Sequence, residues 1–313
     1  MKITVIGTGG VGGYFGGRLA LAGNDVTFIA RGEHLAAIRE NGLRIIEPEG
    51  EFAIQPAKVS EQLDSVSTAD LVLIGTKAWQ VREIAQSIAP LLGAETMVMP
   101  LQNGVMALSD LAAHIGPEHM VGGMCKIFSK IEAPGVIRHM GSDPVIIFGE
   151  TDGAHTERAA WIKYTFDMAG IKNTWAENIE SEIWKKFLMI CSSALLVVTR
   201  SNYGELRSTP ETRQLLIELY TEIYQLALAA GIDLPENIVE RTMAAVDQFP
   251  ADANSSLTRD VLEGRPSEIE YQNGSVVKLG EKYGLVTPVN RYVYYSILPS
   301  ENKAQNRKLE NNS

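Results

Sequence analysis

The sequence predicts an α/β protein with an N-terminal, doubly wound parallel sheet and a C-terminal, mainly helical domain. Three observations carry this. Residues 2–6, KITVI, form a β-branched apolar run that ends at once in Gly7-x-Gly9-x-x-Gly12 and passes into a helical pattern. Continuous apolar strands then alternate with helical segments as far as residue 175. From Asn178 onward helical periodicity takes over, at 179–198, 211–230, 235–248, 255–263 and 267–283. The expected division is 1–177 for the α/β domain, 178–300 for the helical domain and 301–313 for a polar tail that frays.

The glycine spacing has a physical reading. Gly7 lets the chain turn off the strand, Gly9 removes the side chain that would block a pyrophosphate, and Gly12 brings the helix close to the sheet. A helix N-terminus at this turn favours negative charge, so Gly7, Thr8, Gly9, Gly10, Val11 and Gly12 are expected to bind a dinucleotide in a Rossmann-type domain. The second strand, Asp25–Ala30, ends where an NAD site would place a carboxylate on the ribose hydroxyl; here the position holds Arg31. A guanidinium suits a 2′-phosphate, which makes NADPH the expected cofactor.

Residues 43–59 read as a hairpin that interrupts the sheet. Asp70–Gly75 resumes it and opens into a helix from Thr76 to about Pro90, and Thr96–Leu101 breaks sharply at Gln102-Asn103-Gly104. Asn103 then lies at the carboxyl end of a parallel strand, where crevice ligands bind. Further strands are expected at 119–124, 135–139, 144–149 and 171–175, with a helix at 154–169.

Composition narrows the partners. A net charge of −10 argues against nucleic acid and anionic membranes, and no apolar run approaches the ~18 residues of a membrane span. Cys125 and Cys191 are the only cysteines, and with the five histidines they show no metal-ligand spacing, so no metal is expected. The absence of a signal segment and the cysteine usage make cytoplasm the expected location.

Taken in order, GTGGVG, Arg31, Thr76-Lys77-Ala78-Trp79-Gln80-Val81, Gln102-Asn103-Gly104, Trp184-Lys185-Lys186, Ser255-Ser256-Leu257 and Glu268-Ile269-Glu270-Tyr271-Gln272-Asn273-Gly274 resemble the ketopantoate reductase family over all but the last dozen residues. The resemblance implies NADPH-dependent reduction of a small 2-oxo acid to a 2-hydroxy acid. It assigns Lys186 as the general acid, with Lys185 outward, and Glu268 as the carboxylate that holds the cofactor and the lysine. It places Asn103 on the ribose and the substrate, Lys77 near the cofactor, Gln80 at the adenosine end and Ser256 on the substrate carboxylate. An ammonium is chemically suited to the lysine's role, because it stabilises a developing alkoxide and supplies its proton.

The chain departs from the family pattern after Lys186. Two asparagines, four and eight residues on, bind the substrate in that pattern, whereas Ile190 and Ala194 stand here. Both are expected on the Lys186 face of one helix, with Ser193 close enough to supply a replacement hydroxyl. A helical domain of this kind often supplies a homodimer interface.

Overall fold

A computed structural model of the chain describes residues 1–311. It divides into two compact units, Met1–Gln102 with Ala107–Glu182, and Asn103–Met106 with Ile183 onward. The sequence places the boundary at 177/178; in the structure the chain passes from one unit to the other inside a helix. The short segment Asn103–Met106 is separated from the rest of the first unit and belongs with the helices.

The first unit contains strands β1 (Lys2–Ile6), β2 (Asp25–Ile29), β3 (Leu43–Glu47), β4 (Gly50–Ile54), β5 (Lys58–Ser60), β6 (Leu71–Ile74), β7 (Met97–Pro100), β8 (Gly122–Ala133), β9 (Val136–Gly149) and β10 (Lys172–Trp175). Its helices are α1 (Gly10–Leu21), α2 (Gly32–Asn41), α3 (Val81–Ser87), α4 (Ala107–Ala112) and α5 (Glu157–Met168). One sheet runs β5-β2-β1-β6-β7 and its pairs are all parallel. The chain reverses direction across the sheet between β1 and β6, which opens a crevice at their carboxyl ends.

Alternation along the strands explains why both faces are covered. Ile3, Val5, Leu71, Leu73, Met97 and Met99 point into the core shared with α1 and α5, whereas Ile6, Val72, Ile74 and Val98 pack with α3 and α4. Helix α1 lies between two sheets. A Cβ on Gly16 would come within 2.7 Å of Phe28, and one on Gly17 within 2.6 Å of Ile45 in the second sheet. The glycine-rich helix therefore answers a packing demand beyond the dinucleotide motif.

That second sheet runs β10-β9-β3-β4, with β8 antiparallel to β9. The strands expected separately at 135–139 and 144–149 are one 14-residue strand, β9, which runs through the polar stretch between them with a register shift against β8 between the Phe128–Met140 and Lys126–Val145 pairs. The 43–59 hairpin forms as β3 and β4 but joins this sheet, and Lys58–Ser60 returns to the edge of the first.

The second unit is helical: α6 (Ile179–Cys191, crossing from the first unit), α7 (Ser193–Thr199), α8 (Tyr203–Ser208), α9 (Pro210–Ala229), α10 (Ile238–Asp247), α11 (Ser256–Leu262), α12 (Asn273–Tyr283) and α13 (Pro288–Asn311). Three expectations are corrected. The helix 179–198 is broken at Ser192. The helix 267–283 is a single 3-10 turn, Ile269–Tyr271, followed by α12 after the unusual Gln272 backbone. Residues 301–311 continue α13 as helix, with Glu301 and Ala304 buried, and do not form a frayed tail; residues 312–313 lie outside the described residues. Among the described residues no helix is long and apolar enough to cross a membrane.

Candidate active site

The dinucleotide end is built from the turn between β1 and α1. Gly7 has φ +88°, and a Cβ there would sit 2.4 Å from Thr76 Cγ2, so glycine is required by both conformation and contact. A Cβ on Gly12 would fall 2.2 Å from the Gly7 carbonyl oxygen. A Cβ on Gly9, in contrast, would meet no atom within 4 Å, which leaves the turn open where a pyrophosphate approaches. The residues fit the expected group.

Not every amide of this turn is available to a phosphate. The Gly7 and Thr8 N–H groups both donate to Ile29 O at 3.2 Å, and the Thr8 hydroxyl donates to the same oxygen at 2.9 Å. Thr8 is therefore a structural member of the turn, and Gly9, Gly10 and Val11 stand at the N-cap and first positions of α1, where backbone N–H groups have no acceptor within the helix. Arg31 is the N-cap of α2 at the end of β2; its side chain is exposed and has no hydrogen-bond or ion-pair partner among the described residues. Lys77 caps the 3-10 turn Ala78–Gln80 after β6, its Nζ 5.8 Å from the centre of the Trp79 ring, and both Lys77 and Gln80 are half-buried.

The second unit gathers the remaining residues. Asn103 Nδ2 donates to Glu268 Oε2 at 3.3 Å, a contact between positions 165 residues apart. Glu268 is buried, only 6% exposed. Gly104 has φ +96° and a Cβ there would lie 2.6 Å from Tyr271 O, so the turn carrying Asn103 is seated closely on the segment after Glu268.

Lys186 lies on α6, where Trp184, Phe187, Leu188 and Cys191 anchor the helix in the core. Lys185 and Lys186 are both half-buried, so the expected outward lysine is not set apart by exposure. Ile190 is also half-buried, but Ala194 is fully buried in the helical core and lies beyond the break at Ser192. The expectation of one continuous face through Ala194 is therefore corrected. Ser193 is 1% exposed and its hydroxyl donates to Ile190 O at 2.7 Å, so it does not present itself to a substrate. Ser256 is half-buried in the first turn of α11; the N-cap is Ser255, whose Oγ accepts from the Thr258 amide at 3.0 Å.

Two family models cover this arrangement: "Ketopantoate reductase PanE/ApbA" matches residues 3–153 and its "C terminal" model residues 178–299. The chain belongs to the ketopantoate reductase family. A 2-dehydropantoate 2-reductase of Mesorhizobium japonicum is 31% identical over 92% of this chain and 94% of its own length. The uncharacterized oxidoreductase YkpB of Bacillus subtilis is 29% identical over 95% of this chain and 98% of its own. The crystal structure of a PanE/ApbA family ketopantoate reductase from Ralstonia eutropha JMP134 superposes with a TM-score of 0.88 at 28% identity, covering 97% of this chain and all of that one. Like other ketopantoate reductase family members, the chain is an oxidoreductase.

Three supporting residues escaped the sequence reading. Gln102 is buried and its Nε2 donates to Ile74 O and Thr76 O at 2.9 and 3.1 Å, bracing the end of β6 beside the glycine turn. Its place immediately before Asn103 was the one available signal. Buried Glu301 accepts from the Ser267 amide and, at 2.6 Å, from the Ser267 hydroxyl, which fixes the residue preceding Glu268. His34 contacts the glycine turn itself. Neither Glu301 nor His34 sits in a motif.

Proposed function

We propose that the chain catalyses NADPH-dependent reduction of 2-dehydropantoate (ketopantoate) to pantoate, a step of pantothenate and coenzyme A biosynthesis. NADPH, when bound, supplies the hydride that reaches the ketone carbon. Arg31 holds the 2′-phosphate, and the amides of Gly9, Gly10 and Val11 receive the pyrophosphate, with Gly7 and Gly12 shaping the turn. Lys77 and Gln80 line the cofactor's path beyond β6.

Lys186 carries the acid role. Its ammonium stabilises the negative charge that grows on the ketone oxygen and transfers a proton from Nζ to that oxygen as the new C–H bond forms. Glu268 holds Asn103 through the 3.3 Å contact, and Asn103 and the Ser256 hydroxyl orient the substrate, Ser256 on its carboxylate. The pairing of Asn103 with buried Glu268 is the observation that carries the reading, because two residues chosen separately from the sequence are brought into one polar contact.

Ile190 supports a second reading, in which the cofactor chemistry is kept and the oxo acid differs. An apolar, half-buried side chain four residues after Lys186 cannot hydrogen-bond a substrate hydroxyl. A spectrophotometric NADPH-oxidation assay over a panel of 2-oxo acids decides between them: the highest kcat/KM on ketopantoate supports the first reading, and a clear preference for an acid lacking its hydroxyl selects the second. The expected homodimer has an apolar surface available in exposed Val286, Tyr292 and Tyr295 of the helical unit, and light scattering measures its mass.

A further inference from the structure

His34 is half-buried, belongs to no motif, and has both ring nitrogens engaged. Its Nε2 lies 2.8 Å from Thr8 O in the glycine turn, and the Gly135 amide donates to its Nδ1 at 3.0 Å from the turn between β8 and β9. The partners settle the tautomer. An amide N–H can only donate, so Nδ1 is the acceptor; a carbonyl can only accept, so Nε2 carries the proton. Gly135 is itself fixed, because its carbonyl accepts from the Arg44 amide of β3 at 2.9 Å.

We infer that His34 is a positioning residue for the dinucleotide, setting the direction of the Gly9 amide and joining the pyrophosphate turn to the helix capped by Arg31. The argument runs through the Thr8–Gly9 peptide plane. In a trans peptide the C=O and N–H point in opposite directions, so a donor that holds Thr8 O also aims Gly9 N–H. The preceding amides, Gly7 and Thr8, are committed to Ile29 O, which makes this the first plane of the turn that can serve a phosphate. Gly9 gives that plane unusual rotational freedom, and His34 removes it. The same imidazole lies in the first turn of α2, three residues after Arg31, so the two anion-binding elements are held by one side chain.

Two substitutions separate the two bonds. His34→Gln keeps an amide donor near the Nε2 position, and His34→Asn keeps an acceptor near Nδ1 but does not reach Thr8. His34→Asn should weaken NADPH binding about tenfold, the effect of one buried carbonyl losing its donor, while His34→Gln stays within about threefold of the wild type. At saturating NADPH, kcat and the KM for the oxo acid should be unchanged in both. In the wild-type protein NADPH should also slow hydrogen exchange at the Gly135 amide, a measurement that needs no variant. Wild-type NADPH affinity in His34→Asn, equal losses of affinity and thermal midpoint in both variants, or Gly135 exchange unaffected by NADPH would each overturn the inference. A wild-type chain that binds no nicotinamide dinucleotide would instead remove the cofactor reading on which it rests.

Discussion

Asn103 and Glu268 share a 3.3 Å hydrogen bond although 165 residues separate them, and Glu268 is almost fully buried. A carboxylate in that position requires its donors, so the two side chains are expected to act as a unit. In a double-mutant cycle with Asn103→Ala and Glu268→Gln, each single change should lower kcat/KM, and the double variant should lose less than the sum by about 1 kcal/mol of coupling. Strictly additive losses would show that the contact has no part in turnover.

Arg31 stands at the end of β2 with no competing carboxylate bonded to its guanidinium among the described residues. Arg31→Asp should therefore weaken NADPH by about tenfold to a hundredfold, the range for losing charge-assisted hydrogen bonds to a phosphate, with a much smaller effect on NADH. Isothermal titration with both cofactors checks this. Equal losses would take the 2′-phosphate away from Arg31.

Lys186→Ala removes the proposed acid while leaving the α6 anchors Trp184 and Phe187 in the core. The expected result is a fall in kcat of about a hundredfold or more with NADPH affinity within about twofold. Stopped-flow and fluorescence titration separate the two quantities; near-normal turnover would end the candidacy of Lys186.

How much of this was legible in sequence depended on whether the determining contacts were local. The glycine turn, β1, β2, β6 and β7 are written in runs of adjacent residues, and so was the position of Arg31. The division of sheet strands is less readable, because β9 continues through Gly141–Asp143, where its apolar pattern lapses and its register against β8 shifts. Ser193 is available by its spacing, but its hydroxyl is taken up by the Ile190 carbonyl of the preceding helix, α6, and Ala194, beyond the break at Ser192, belongs to the core. Helix α13 was missed altogether. Its first turn is satisfied by Glu222 from α9, a tertiary cap that no local signal announces.

That cap yields a stability prediction. The Glu222 carboxylate accepts from the Val289 and Asn290 amides at 2.8 and 3.0 Å and from Asn290 Nδ2 at 2.7 Å, in a setting where Asn290 is fully buried. Glu222→Ala leaves these donors unpaired and should cost about 2–4 kcal/mol. Chemical unfolding measures the loss, and hydrogen exchange should accelerate first at residues 289–290. A change under about 0.5 kcal/mol would mean that water replaces the carboxylate fully.

The pH dependence of stability follows from His34. Burial lowers the imidazole pKa, and the Thr8 carbonyl bond only partly opposes the shift. The neutral ring is also the one that its partners demand, since a protonated Nδ1 would face the Gly135 N–H. The native state therefore binds the proton less readily than the unfolded chain, whose histidine titrates near about 6.5. With more protons bound by the unfolded state, stability rises with pH: the contribution of His34 is fully present above that value and is lost as pH falls toward the lowered native pKa. Urea unfolding at about pH 8 and about pH 5.5 should show the wild type losing more stability on acidification than His34→Gln, which has no proton to bind there. Identical losses in the two proteins would show that the acid sensitivity arises elsewhere in the fold.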